Sequence, residues 1–130
     1  MKGRRIGQAI YDRFAFGKTV SAVEAIEETK KRDAFRAAFG DLLGEDGILV
    51  SPTVPCAAPL AASSVDEKGA FRERAIRLLC WSGLSGFPQI SLPLGAVHGA
   101  PFGISLLGPA GSDMALIRLG RRVLEASGKA

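Results

Sequence analysis

The residues able to do chemistry are few and far apart. His98 is the single histidine of the 130 residues, and it lies in the Gly-rich connection "GAVHGAP". The expectation there is a turn residue facing solvent rather than a base or a metal ligand. Cys56 and Cys80 are 24 positions apart and form no C-x-x-C pair. A Cys80–His98 nucleophile pair would rest on one residue of each type. Free, buried thiols are the expected state, in preference to a disulfide. A metal needs three or four convergent Cys, His or carboxylate groups, and one histidine with two distant cysteines does not supply them. The segment "GLSG" at Gly83 to Gly86 approaches the G-x-S-x-G elbow of hydrolases but carries Phe87 where the last glycine belongs. Ser63 and Ser64 lie in an Ala-rich loop without flanking glycines, so they read as loop, or as a cap for the helix that follows. Neither a phosphate-binding loop nor a dinucleotide fingerprint occurs. Catalytic residues, metal ligands and cofactor sites are therefore all expected to be absent.

Composition bounds the alternatives. With 47% hydrophobic and 23% charged residues the chain is of globular type. No apolar run approaches the roughly 20 residues of a membrane helix. The basic start "MKGRRIGQAIYDRF" lacks the apolar core of a signal peptide, so the cytoplasm is expected. The net charge of +4 comes from "KGRR", "KKR", "RER" and "RLGRR", each in or beside an expected helix. Aromatics are not interleaved with these cations, so solvated helix faces account for the charge and a nucleic-acid partner is not expected.

The elements that would position any site follow from periodicity and punctuation. Ser21 to about Leu43 is expected as a helix. "SAVE" has capping-box form, Phe35, Phe39 and Leu42 make one apolar stripe, and Glu27–Lys31 and Glu28–Arg32 fall at i,i+4. Gly44 would stop it. "GILVS", Gly47 to Ser51, reads as a short buried strand, and the three prolines of Pro52 to Pro59 make an extended loop. A helix is expected from about Glu67 to Trp81, with Phe71, Ala75, Leu78 and Leu79 on one side. Strands follow at Gln89 to Leu94 and Phe102 to Leu107. A last helix starts near Ser112 or Asp113 and runs to about Ala126 before Gly128. Strands this apolar suit a sheet covered by helices on each side, an α/β architecture of order α-β-α-β-β-α. Three strands are few for such a sheet, so the chain reads as part of something larger.

Four segments in fixed order carry a resemblance. "GILVSPTVP" (Gly47 to Pro55), "GLSGFPQISLPLG" (Gly83 to Gly95), "GAPFGISLLGPAGSD" (Gly99 to Asp113) and "ALIRLGRRVLEA" (Ala115 to Ala126) together resemble the C-terminal third of the amidase signature family. The helix "SAVEAIEETKKRDAFRAAFGDLL" resembles the one that precedes the Pro-Thr-x-Pro segment there. The resemblance covers nearly everything beyond about Val20.

It implies the C-terminal part of a large mixed-sheet α/β fold. In that fold a Ser–cis-Ser–Lys triad hydrolyses a carboxamide to an acid and ammonia, with backbone N–H groups holding the oxyanion. The Gly/Ser-rich segment and the lysine of that triad match nothing here. Ser63–Ser64 is no substitute, because its neighbours are Ala62 and Val65 where the family has glycines. Where the family often has Asn, this chain has Gly83, which implies a loop with altered hydrogen bonding. Trp81 precedes that point and would line a pocket or anchor the core. Ligands of open α/β sheets sit beyond the carboxyl ends of strands, so Ser51, Thr53 and Val54 are substrate-contact candidates, and the aromatic-lined pocket that the resemblance implies adds Trp81.

The expectation is one partial domain over residues 1–130, with 1–18 as an N-terminal extension or helix. It would be the C-terminal fragment of an amidase, with nucleophile and lysine supplied elsewhere, no cofactor, and a small amide as substrate once joined to the rest. The alternative is a non-catalytic binding or assembly module on the same scaffold, which forms a homo-oligomer through an exposed sheet or helix surface.

Overall fold

The structure is a computed structural model and describes residues 7–128. The basic cluster Lys2 to Arg5 lies outside the described residues. Among the described residues, four helices and three strands follow one another: α1 (Gln8–Gly17), α2 (Ala22–Leu43), β1 (Leu49–Pro52), α3 (Val65–Ser85), β2 (Gln89–Val97), β3 (Ala100–Leu107) and α4 (Asp113–Ala126). The chain divides into two compact units at Ala34/Phe35, so α2 contributes to both.

In the first unit, the capping box at the start of α2 forms as its sequence dictates. The Glu24 N–H donates to Ser21 Oγ at 3.2 Å, and the Ser21 N–H donates to Glu24 Oε2 at 2.8 Å. The ion pairs on this helix differ from the i,i+4 expectation. Lys31 pairs with Glu28 at 2.6 Å, three residues back, and Arg32 approaches Asp33 at 3.8 Å. Positions i+3 and i+4 are both neighbours on a helix, and a long lysine reaches either.

The second unit is built on an antiparallel sheet of order β1-β3-β2. The β2–β3 hairpin is tighter than expected, because the strands continue to Val97 and Ala100 and leave only His98 and Gly99 as the turn. Both turn residues have positive φ, 50° and 77°, the backbone geometry that two-residue hairpin turns require. Opposite Gly103, β2 carries two residues, Pro93 and Leu94, in a bulge. Proline has no amide proton for the ladder, which is why the irregularity falls there.

Alternation along the strands gives the sheet two faces. On one, Ile90, Leu92, Ile104 and Leu106 pack against Leu116, Leu119 and Val123 of α4. On the other, Leu49 and Leu107 meet Phe35, Phe39 and Leu43 from the C-terminal half of α2, together with Phe87. Leu42, expected in that stripe, is 79% exposed, and Leu43 takes its place because it lies four residues from Phe39.

Helix α3 is longer than expected at both ends. Ser64 is its cap: the Glu67 N–H donates to Ser64 Oγ at 3.1 Å and the Ser64 N–H donates to Glu67 Oε2 at 2.8 Å. At the other end, Gly83 is helical rather than in a loop, and the helix closes with the Gly86 N–H on the Ser82 carbonyl at 2.8 Å. Nothing from Trp81 to Ser85 breaks a helix, and the first strong breaker pair is Gly86 with Pro88. Phe71, Ala75, Leu78 and Leu79 are the half-buried side, as the spacing predicts.

Removing the cap has a measurable consequence. Ser64→Ala should destabilise the fold by about 1 kcal/mol, read from the urea midpoint. The backbone N–H of Ser64, and then its hydroxyl, hold the Glu67 carboxyl below its ordinary range. Glu24 is lowered in the same way by Ser21. With the folded-state pKa depressed, this stabilisation is present above the unfolded-state pKa and is lost as pH falls through the folded-state one. The gap between the parent protein and Glu67→Gln should therefore close in acid. A gap unchanged from neutral to acid pH would contradict the capping role.

Candidate ligand pocket

The loop after β1 bends back over the sheet. The Thr53 N–H donates to the Gly103 carbonyl at 2.8 Å, which extends the β1–β3 ladder by one step. Pro52 and Pro55 limit the conformations of this segment on either side. The Thr53 hydroxyl is thereby brought over β3, where Oγ1 lies 3.0 Å from Ser105 Oγ. On the other side of Ser105, Ser91 Oγ of β2 lies at 3.2 Å. Ser91 and Ser105 are direct cross-strand partners, so their hydroxyls share one face of the sheet. Ser105 is 1% exposed.

Thr53 fits there because residue 103 is glycine. A Cβ at Gly103 would stand 2.8 Å from Thr53 Oγ1 and 3.3 Å from the Leu92 carbonyl oxygen. Beside the hydroxyl row is an open cavity of about 370 Å³, lined by Thr53 and Ser91 together with Val54, Phe71 of α3, and Phe102. None of its lining residues is charged. The size is at the small end of ligand pockets, and the lining is the usual mixture of apolar walls with a few placed polar groups.

Of the four substrate-contact candidates, Thr53 and Val54 line this cavity. Ser51 pairs with Ser105 across the β1–β3 ladder without lining it. Trp81 is elsewhere: its ring lies 5.8 Å from Phe35 and 5.6 Å from Phe39, and it stays 37% exposed. Ser91, Ser105, Phe71 and Gly103 were not singled out by sequence reasoning. The signal available was two serines in otherwise apolar strands, but their meeting depends on a register that only the folded sheet supplies.

The other polar candidates stay apart from the cavity. His98 is at the hairpin tip. The Cys80 thiol donates to the Arg77 carbonyl of its own helix at 3.4 Å, and both cysteines are free. Among the described residues, no group of three or more His, Cys, Asp or Glu is placed to hold a metal ion. No helix among the described residues is long and apolar enough to cross a membrane.

Comparison with known proteins decides the family. No protein-family model matches the chain. Over 82 residues it is 45% identical to Amidase 1 of Arabidopsis thaliana, an alignment that takes in 63% of this chain and 19% of that protein. The solved structure titled "Crystal structure of amidase" superposes on 88% of the chain with a TM-score of 0.71 at 22% identity. The chain belongs to the amidase signature family. Another relative, Outer envelope protein 64, chloroplastic, of Arabidopsis thaliana, is 37% identical over 95 residues, 70% of this chain and 16% of that protein. The chain thus spans about a fifth or less of the length of these curated relatives. It covers 27% of the superposed amidase structure. Its three antiparallel strands and their helices are part of an amidase signature α/β fold.

Proposed function

We propose that this chain is the C-terminal part of an amidase domain, whose complete form hydrolyses a carboxamide C–N bond to a carboxylic acid and ammonia. The identity to Amidase 1 carries the reading. In the proposed division of labour, residues 1–130 are one partial domain, and the serine nucleophile, its bridging serine and its lysine come from an N-terminal part. This chain supplies scaffold and one wall of the substrate site, through Thr53 and Val54 on the stiffened loop after β1. Ser51 precedes that loop in the strand, and Trp81 belongs to the aromatic cluster with Phe35 and Phe39. The substrate is a small amide, with no cofactor, metal or nucleic acid involved, and the setting is cytoplasmic.

Two measurements test this. The purified chain should show no amide hydrolysis above background, and hydrolysis abolished by a point substitution within residues 1–130 would overturn the reading. Translation of the DNA immediately upstream of the Met1 codon should reveal a Gly/Ser-rich segment preceded by a lysine. Its absence from all frames would favour a second reading, a non-catalytic module on an amidase scaffold. Exposed apolar surface favours that alternative: Val50 on the outer strand β1 is 61% exposed, and Ile76, Leu84 and Val65 of α3 are exposed as well. A monodisperse dimer in solution would support it, and a monomer that unfolds cooperatively would count against the fragment reading.

A further inference from the structure

We infer that the outer face of α4, together with the turn between α2 and β1, is the contact surface of a two-fold dimer of this chain. The inference stands apart from the amidase reading, because it uses only the charge and shape of this one face.

Two hollows meet at Leu119, which lines both. Toward the start of α4, one hollow lies between Ala115 and Leu119 of the helix and Glu45, Asp46 and Ile48 of the preceding turn. Toward the end of α4, the other is lined by Leu119, Arg122, Val123, Glu125 and Ala126. Leu119 is half-buried, whereas Glu45, Asp46, Ala115, Arg118, Arg122 and Ala126 are exposed. With about 3.6 residues per turn, Ala115, Leu119 and Ala126 form one strip along the helix, and Arg118 and Arg122 border it on one side. Glu45 and Asp46 border it on the other, where their hollow also touches Ser112 and Leu116. At the basic end Arg118, Arg121 and Arg122 outnumber Glu125. Among the described residues, none of Glu45, Asp46, Arg118 and Arg122 takes part in an ion pair.

The patch thus has an apolar middle, an acidic corner and, diagonally opposite, a basic corner. A two-fold axis through Leu119, perpendicular to α4, exchanges the two corners. It sets two α4 helices antiparallel with Leu119 against Leu119, and lays Glu45 and Asp46 of each copy opposite Arg122 of the other. In such an isologous interface every contact occurs twice. The small side chains of Ala115 and Ala126 let the helices approach closely along the strip. The charge pattern also selects the occupant. A partner of one sign, such as a nucleic acid or an anionic membrane, is repelled at one corner, whereas a second copy meets opposite charge at both.

The test is sedimentation of the full chain. It should show a reversible monomer–dimer equilibrium with a dissociation constant on the order of 10 µM, as for small transient interfaces. Raising NaCl from about 0.05 M to about 0.5 M should weaken it about ten-fold, because the facing charges are screened. Arg122→Glu should weaken the dimer about ten-fold or more, and so should the double change Glu45→Arg with Asp46→Arg, since the two-fold doubles each effect. These side chains are exposed, so the circular dichroism of the monomers should not change. Mixing the two variants should restore a dimer with one copy of each, because each reversed charge then faces an opposite one. A chain that stays monomeric at about 0.5 mM, or variants that stay apart when mixed, would overturn the inference. So would a dimer that survives high salt and both reversals. That dimer would rest on exposed apolar residues such as Val50 and Ile76, and is the one the second reading above calls for.

Discussion

Phe39→Ala should remove about 3–5 kcal/mol of stability, measured as a fall in the urea midpoint at unchanged slope. Phe39 is 5% exposed and is the hub of the aromatic cluster. Its ring centroid lies 5.5 Å from Phe35, 5.6 Å from Trp81 and 5.9 Å from Phe87. Truncation deletes a buried ring and every one of these ring contacts at once, on the face where α2 meets Leu107 of the sheet. Small domains are stable by only about 5–15 kcal/mol, so the variant should lie near the edge of folding at 37 °C. Leu42→Ala, three residues further along the same helix, is the internal control. That side chain points to solvent, and the change should stay within about 0.5 kcal/mol. Equal losses for the two would mean that the aromatic cluster does not hold this face.

The second large effect is on the opposite face. Leu116→Ala should cost about 2–5 kcal/mol, because Leu116 is 2% exposed and packs with Leu92 and Leu106 beneath α4. The same contact should resist enlargement. At Gly120 a Cβ would stand 3.1 Å from Leu92 Cδ2 and 3.2 Å from Ile90 Cδ1, so α4 lies close to the strands there. Gly120→Val should therefore destabilise by about 1–3 kcal/mol through overpacking, even though it adds apolar surface. A loss at Leu116 with a gain at position 120 would mean that the helix stands off from the sheet. Leu116 and Gly120 lie on the face opposite Phe39, so either change combined with Phe39→Ala should add to within about half a kcal/mol.

Much of the fold follows from local pattern. Capping boxes at Ser21 and Ser64, the proline-rich loop after β1, and the apolar runs of β2 and β3 each have a cause within a few residues of chain. The motif order likewise points to the amidase signature family without a coordinate. Element ends were less legible. The end of α3 depends on the first effective breaker, and the β2–β3 turn on whether His98 accepts a positive φ beside Gly99.

What the sequence by itself determined is the class of the protein: three helices and three apolar strands in the order α-β-α-β-β-α, carrying motifs in the order of the amidase signature family. What only the tertiary structure decided is which residues meet. Ser91 and Ser105 are fourteen positions apart, and Thr53 is fifty-two from Ser105. Strand side chains alternate with a period of two, so a slip of one residue would send these hydroxyls to opposite faces. The register of the β2–β3 hairpin and the ladder from Leu49 to Pro52 place Ser91 and Ser105 on one face with Thr53 above it. Trp81 shows the same dependence. Its position beside the family motif left open a pocket wall or a core anchor, and its ring lies against Phe35 and Phe39. Trp81 lies on α3 and Phe35 and Phe39 on α2, more than forty positions away in the chain, so only the packing of the helices brings these rings together.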